Sequence, residues 1–327
     1  GPACYGLGGT EPTVADANLI LGYMDDGSEL GGSVKLDVKK AVEVFEPLAS
    51  AFDTSVEEAA LGVRRVANAN MARALRRVTV EHGIDARTCA LLAYGGQGPM
   101  HAVSLAREFD IRKVIVPRFS SGFSAFGCLS ADMSYAEQRP IHMNSDVWDA
   151  DELTRMTESI AGRLKEPLIA DGTDPAGLRV EVAGLVRYIG QSDAVEVTLT
   201  APYDLAMVDA DFKATHERLY GFSTAERWEI DTLRVTVLAP HREEKTRLGG
   251  EVAEPSHTPT VTRQCWFEGP IELATPHYDR DRLPIDWKIT GPAIIEDAWS
   301  TVVVDPGATA RADCLGHLHI DLEAPGK

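Results

Sequence analysis

A chain of 327 residues, 44% apolar and 25% charged, is long enough to bury a full core and reads as an ordinary globular protein of about two domains. Its 50 acidic against 32 basic side chains give a formal charge of -18, a surface that repels a phosphate backbone and argues against nucleic acid as a partner. No run of eighteen apolar residues and no basic stretch leading into an apolar one is present, so neither a membrane span nor a secretory signal is indicated.

The opening, Gly1-Pro2-Ala3-Cys4-Tyr5-Gly6-Leu7-Gly8-Gly9-Thr10, is dense in turn residues and lacks an initiating methionine, which suggests a processed or split piece of something longer. Thr13 is placed to cap a short helix with Asp16 in its first turn and Gly22 at its end. A second helix starts at Asp37, carries Val38, Ala41, Val42 and Phe45 at helical spacing, and is expected to break at Pro47. The clearest helix runs from Ser55 to Val78. Ser55 and Glu58 form a capping-box pattern, and Val56, Ala59, Ala60, Val63, Val66, Ala67, Asn70, Met71, Ala74, Leu75 and Val78 form one stripe. Arg64, Arg65, Arg73, Arg76 and Arg77 lie mainly off that stripe and read as a solvated face. Asn68 and Asn70 either satisfy backbone groups or face a cleft.

Cys89 to Pro117 reads as strand, glycine turn, helix, strand: a β-α-β unit, the arrangement that supports ligands at the carboxyl end of its first strand. The turn Gly95-Gly96-Gln97-Gly98-Pro99 matches neither a dinucleotide fingerprint nor a P-loop. Its backbone N–H groups and the helix start after it suit close approach to a nucleotide, and an ordinary tight turn accounts for the same residues equally well. His101, in the first turn of that helix, either faces a cleft or completes a backbone hydrogen bond. Between Arg118 and Asp132, glycines, serines and aromatics point to backbone packed close to a neighbour or a ligand. Asp16 and Asp132 are the carboxylates near glycine-rich segments.

Beyond residue 135 the period changes. An amphipathic helix over 151–166 carries Leu153, Met156, Ile160 and Leu164, and Leu178 to Leu199 alternates as a hairpin about Gly190-Gln191-Ser192-Asp193. A helix over 211–220 stops at Gly221, and Glu229 to Leu238 alternates again. His241 to Thr260 reads as a polar linker, and Cys265 to Leu322 as short strands divided by Gly291-Pro292 and Asp305-Pro306-Gly307. The five cysteines are widely spaced and never Cys-x-x-Cys, as in a cytoplasmic protein with reduced thiols. Cys314, His317 and His319 have ligand-capable spacing but no clear fourth ligand for zinc. Neither a Gly-x-Ser-x-Gly elbow nor a His-Glu-x-x-His motif occurs. The expected organisation is an α/β lobe over 1–135 and a β-rich domain with inserted helices over 136–327.

Several segments together carry a resemblance. Gly1 to Asn18, Tyr94-Gly-Gly-Gln-Gly-Pro-Met-His-Ala102, Val116-Pro117, Arg187-Tyr-Ile-Gly-Gln191, Tyr220-Gly-Phe222, Leu233-Arg-Val-Thr-Val237, Gly291-Pro-Ala-Ile-Ile-Glu296 and Ser300-Thr-Val-Val-Val304 resemble, in order, the C-terminal portion of the hydantoinase A/5-oxoprolinase family, which includes acetone and acetophenone carboxylase subunits. The resemblance implies part of an actin/Hsp70/sugar-kinase-like ATPase lobe followed by a β-rich region. It implies ATP and Mg2+ shared with an N-terminal chain or fragment that carries Asp-x-Gly-Gly-Thr phosphate loops, and a partner subunit of the hydantoinase B type. Gly95, Gly96 and Gly98 would then approach the nucleotide, with His101, Asp16 and Asn18 lining the cleft. The implied activity is phosphorylation of a carbonyl or enolate oxygen in a multisubunit complex, the chain being inactive alone. A ketone carboxylase is placed first, with a cyclic-amide hydrolase and a noncatalytic structural subunit as alternatives.

Overall fold

The computed structural model describes residues 1–26, 29–30, 32, 34–240 and 254–322, so the first part of the expected polar linker lies outside the described residues. Contacts divide the chain into two compact units, Gly1–Phe126 with Arg247–Lys327, and Gly127–Thr246. The sequence division at residue 135 follows the chain, whereas the division of contacts is discontinuous. The last strands belong with the N-terminal segment because they extend its sheet.

In the first unit α1 (Val14–Ile20) begins with a reciprocal capping box between Thr13 and Asp16. Gly22, at φ +81°, turns the chain after it. Two short antiparallel strands, β1 (Glu29–Leu30) and β2 (Val34–Lys35), precede α2 (Val38–Phe52), which is N-capped by Asp37. Contrary to expectation α2 runs through Pro47. Proline forfeits one helical hydrogen bond, but Pro47 is exposed, which leaves the unpaired carbonyl to water, and buried Phe45 and Ala49 anchor the helix on both sides. The Ser55–Glu58 capping box starts α3 (Val56–Glu81) as expected.

Its buried face differs from the expected stripe. Ala60, Leu61, Arg64, Asn68 and Ala72 are inside, while Val66 and Val78 are exposed. The β-α-β unit is present as β3 (Leu91–Leu92), α4 (Gly98–Glu108) and β4 (Lys113–Val116), with β3 and β4 parallel. The stretch that follows forms α5 (Phe123–Ser130), and an added Cβ at Gly122 or Gly127 would meet nothing within 4 Å. Gly122 and Gly127 therefore do not mark close backbone packing, whereas Ser120, 1% exposed, does: its carbonyl accepts from Gly95 N–H at 2.7 Å.

In the second unit β5 (Met133–Asn144), β6 (Arg179–Tyr188), β7 (Val195–Thr198) and β8 (Trp228–Ala239) form an antiparallel sheet in the order β5-β8-β6-β7. Two helices, α6 (Ala150–Ala170) and α7 (Leu205–Tyr220), pack against it through Leu153, Ile160, Leu168 and Phe212, which meet the inward residues Ile230, Val235 and Val237. The expected hairpin is β6–β7, and α7 stops at Gly221, φ +79°.

The remaining strands rejoin the first unit. These are β9 (Val261–Phe267), β10 (Ile271–Asp279), β11 (Lys288–Thr290), β12 (Ala293–Glu296), β13 (Thr301–Val304), β14 (Ala308–Ala312) and β15 (Leu318–Leu322). One mixed sheet runs β13-β12-β10-β9, and a second runs β11-β14-β15-β4-β3, so β15 pairs directly with β4 of the β-α-β unit. The observed class is α/β, with mixed sheets and packed helices. Among the described residues no helix is long and apolar enough to cross a membrane.

Candidate functional site

The glycine turn between β3 and α4 opens onto a cleft of about 860 Å³ in the first unit, lined in part by Gly96, Gln97 and Met100. Gly95 has φ +90°, and its N–H donates to Ser120 O at 2.7 Å. Thr301 N–H donates to Gly96 O at 3.3 Å, and a Cβ on Gly96 would lie 3.2 Å from Trp299 O. A Cβ on Gly95 or Gly98 would meet nothing, so the turn presents bare backbone to open space.

Facing it, the turn between β12 and β13 is built around Asp297, whose carboxylate accepts from Trp299 N–H, Ser300 N–H and Ser300 Oγ, each at 2.8 Å. Ser300 Oγ is also 2.9 Å from Ser120 Oγ, and Ser120 O in turn accepts from Gly95 N–H, so Ser120 links the two turns. Arg280 sits beneath them. Its Nη2 donates to Val116 O at 2.9 Å and Pro117 O at 2.6 Å, at the end of β4, while Nη1 lies 3.8 Å from Asp297 Oδ2. Burial pulls its pKa down to about 10, so it remains a cation at neutral pH. Trp299, 61% exposed, projects at the cleft margin.

A second polar array forms the opposite wall. Arg263 Nη2 lies 3.1 Å from Asp25 and 3.9 Å from Glu296, and fully buried His277 donates from Nδ1 to Glu296 Oε1 at 2.9 Å. Cys265 Sγ is 3.7 Å from His277 Nε2 and donates to Gly22 O at 3.2 Å. Burial pushes the Cys265 thiol up to about 11, so this Cys–His–Glu row holds the wall in place and supplies no thiolate. The cleft carries Asp25, Asp279, Asp281, Glu296 and Asp297 against Arg263. Such a lining opposes bare phosphate and suits hydroxyl groups or a bound cation.

Of the residues singled out from sequence, Gly96 lines the cleft and Gly95 and Gly98 flank it. His101, Asp16 and Asn18 do not line it. His101 is 4% exposed, with Nδ1 2.7 Å from Asn68 Oδ1, and burial together with the Arg64 charge depresses its pKa to about 4. Asp16 accepts from Cys4 N at 2.7 Å, Thr13 N at 2.9 Å and Thr13 Oγ1 at 2.6 Å. Burial alone raises an acid's pKa, but these hydrogen bonds outweigh it and hold Asp16 below the usual carboxylate range. The Asn18 side-chain amide is buried without a hydrogen-bond partner. The Cys314 cluster is dispersed: His317 Nδ1 accepts from Arg118 N–H at 3.1 Å, His319 lies 2.9 Å from Asp313, and Cys314 is exposed.

Sequence reasoning missed Arg263, His277, Arg280 and Asp297, which build the cleft, and placed Arg64 on the solvent side of α3 although it is buried. Glu296 and Ser300 lie inside the quoted C-terminal motifs, the one signal that pointed to that wall.

The hydantoinase/oxoprolinase family matches residues 1–137, and the hydantoinase/oxoprolinase C-terminal domain matches residues 142–322. An uncharacterized protein of Methanocaldococcus jannaschii is 37% identical over 98% of this chain and 46% of its own length. The caprolactamase subunit alpha of Pseudomonas jessenii is 33% identical over 96% of this chain and 47% of its own. The crystal structure of ATP-dependent caprolactamase from that organism superposes with a TM-score of 0.84 at 31% identity, covering 99% of this chain and 48% of that one. A nucleotide-free acetone carboxylase structure gives a TM-score of 0.74 at 24% identity over 98% of this chain and 48% of that one, a likeness of fold. The chain thus spans about half the length of the curated relatives named here. Matched along nearly its whole length by both family regions, the chain belongs to the hydantoinase/oxoprolinase family.

Proposed function

We propose that this chain is part of an ATP-dependent cyclic-amide hydrolase. The observation that carries the reading is the likeness to ATP-dependent caprolactamase, 31% identity with a TM-score of 0.84 over 99% of the chain. The ketone carboxylase reading that the sequence placed first has weaker support, since the likeness to acetone carboxylase at 24% identity speaks to the fold alone. On this proposal the first unit is part of an actin/Hsp70/sugar-kinase-like ATPase lobe, working with a polypeptide that supplies the phosphate loops and with a subunit of the hydantoinase B type.

The cleft residues fit the nucleoside end of ATP. Bare backbone at Gly95 and Gly98 admits close approach, exposed Trp299 offers a face on which a purine stacks, and Asp279 and Asp281 suit ribose hydroxyls. The excess of carboxylates keeps the phosphates away from this wall, toward the partner polypeptide. When bound, ATP supplies a phosphoryl group that activates the ring carbonyl for attack by water. This chain's own part is to orient the nucleotide: Asp297 sets the Trp299 turn, Arg280 fixes that turn to the end of β4, and the Glu296–His277 pair stiffens the opposite wall.

The test is a coupled assay on the complex purified from its source. ADP release that depends on a lactam or on 5-oxoproline, with appearance of the ring-opened amino acid, supports the hydrolase. ADP release that depends on ketone and bicarbonate overturns it. In the same complex Trp299→Ala is expected to weaken ADP binding by roughly tenfold, the value of one base–aromatic stack, as read by isothermal titration. Unchanged affinity would remove the nucleoside from this cleft.

A further inference from the structure

A second cavity of about 470 Å³ lies in the first unit and shares no lining residue with the cleft above. Its walls are of two kinds. Phe267, Ile271 and Leu273 make an apolar side, and Arg64, Arg107 and Asp305 a polar one. The volume is that of a small-molecule site, and apolar walls with a few convergent polar groups are the usual lining of one.

Arg64 is the unusual member. Only 2% exposed, it donates from Nη2 to Met100 O at 2.7 Å, and its guanidinium lies over the Tyr23 ring, 4.7 Å from the centroid. Its Nη1 is buried and has no hydrogen-bond partner. A guanidinium cannot shed its charge at neutral pH, and a buried donor left unpaired is costly, so this side chain has spare capacity for an acceptor. The fold does not use Asp305 to fill it. Asp305 Oδ2 instead makes long contacts, 3.4 Å to Ser104 Oγ and 3.4 Å to Arg107 Nη1, and Arg107 also donates to Pro306 O at 2.7 Å. Glu268, the other acid of the lining, is committed to Arg65 at 2.7 Å. With Glu268 paired to Arg65 and Asp305 to Arg107, Arg64 is the one charged side chain of the lining without an ion-pair partner among the described residues.

From this geometry we infer that the cavity is a binding site for a short aliphatic monocarboxylate, with the carboxylate on Arg64 and Arg107 and the alkyl chain against Phe267, Ile271 and Leu273. A monoanion matches the one unpaired guanidinium. A carboxylate is the acceptor whose geometry suits a guanidinium fork, and the apolar wall selects a carbon chain over a second charged group. The inference does not depend on which reaction the family cleft supports.

The probe is sodium hexanoate, titrated into the full chain and followed calorimetrically, with hexylamine and 1-hexanol as controls. Saturable one-to-one binding of hexanoate, with neither control binding, is the expected result. Arg64→Lys keeps the charge but loses the fork, and is expected to weaken binding at least about tenfold. Because Arg64 also serves Met100, a second variant guards against misfolding: Ile271→Asp places a carboxylate on half-exposed Ile271, and is expected to abolish binding while leaving thermal unfolding unchanged. Absence of saturable binding to the unmodified chain overturns the assignment. So does equal binding of hexylamine, or hexanoate affinity unaltered by Ile271→Asp.

Discussion

Between about pH 6.5 and about pH 4 the chain is expected to lose roughly 3 kcal/mol of stability through His101 alone. Burial, and then the positive charge of Arg64, depress the folded-state pKa of this residue to about 4 from the ordinary 6.5. The unfolded chain therefore binds more protons than the folded one across that window, and stability rises with pH. The contribution is complete above the unfolded value and is lost as pH falls through the folded one. Geometry gives the reason: Nδ1–H donates to Asn68 Oδ1 at 2.7 Å inside α3 and α4 packing, where an imidazolium has a guanidinium nearby and, among the described residues, no carboxylate paired with it. Urea unfolding across this pH range checks the expectation. His101→Gln, which retains a donor but no titratable group, should give a flatter profile over the same interval. Equal slopes for the two proteins would show that the histidine is not the source. The loss attributable to Asp16 comes at lower pH, because its hydrogen bonds hold its pKa below the usual carboxylate value of 3.8.

What the sequence revealed was local. Thr13 with Asp16 and Ser55 with Glu58 are reciprocal caps whose partners are three residues apart, so a four-residue window contains the whole interaction. The β-α-β unit and the β6–β7 hairpin were legible for the same reason, since period and turn chemistry are properties of adjacent residues. The C-terminal motifs pointed to Glu296 and Ser300, but not to what they do. Arg64 shows where such reading stops. Helical spacing tells which positions of α3 share a face; it does not tell that Met100 O and the Tyr23 ring, both distant in sequence, await a guanidinium there. Arg280 is alike in this respect, because the end of β4 that it holds lies more than a hundred residues earlier. The discontinuous unit was hidden too. Pairing of β15 with β4 is a long-range register, and nothing in either strand alone announces its partner.

Gly22→Ala is expected to destabilise the first unit by about 3–5 kcal/mol, from two causes that a control can separate. Gly22 has φ +81°, a conformation that costs a residue with a Cβ about 1–2 kcal/mol. The larger cost is steric. The added carbon would lie 2.5 Å from Gln264 O and 3.2 Å from Cys265 Sγ, and the first of these is backbone in β9, which cannot swing aside. Three bonds hold this approach: Trp266 N–H to Leu21 O at 3.0 Å, Tyr23 OH to Trp266 O at 2.6 Å, and Cys265 Sγ to Gly22 O at 3.2 Å. Relief of the clash must therefore stretch the junction between the end of α1 and β9, the strand that also carries Arg263 to the cleft wall. Gly8→Ala supplies the control, because Gly8 has φ +92° and an added Cβ there would meet nothing within 4 Å. Chemical denaturation should place Gly8→Ala about 1–2 kcal/mol below the unmodified chain and Gly22→Ala at least about 2 kcal/mol lower still. Equal losses would mean that backbone conformation alone accounts for Gly22 and that β9 yields. A larger loss at Gly22 would show that β9 does not yield at this contact with the end of α1.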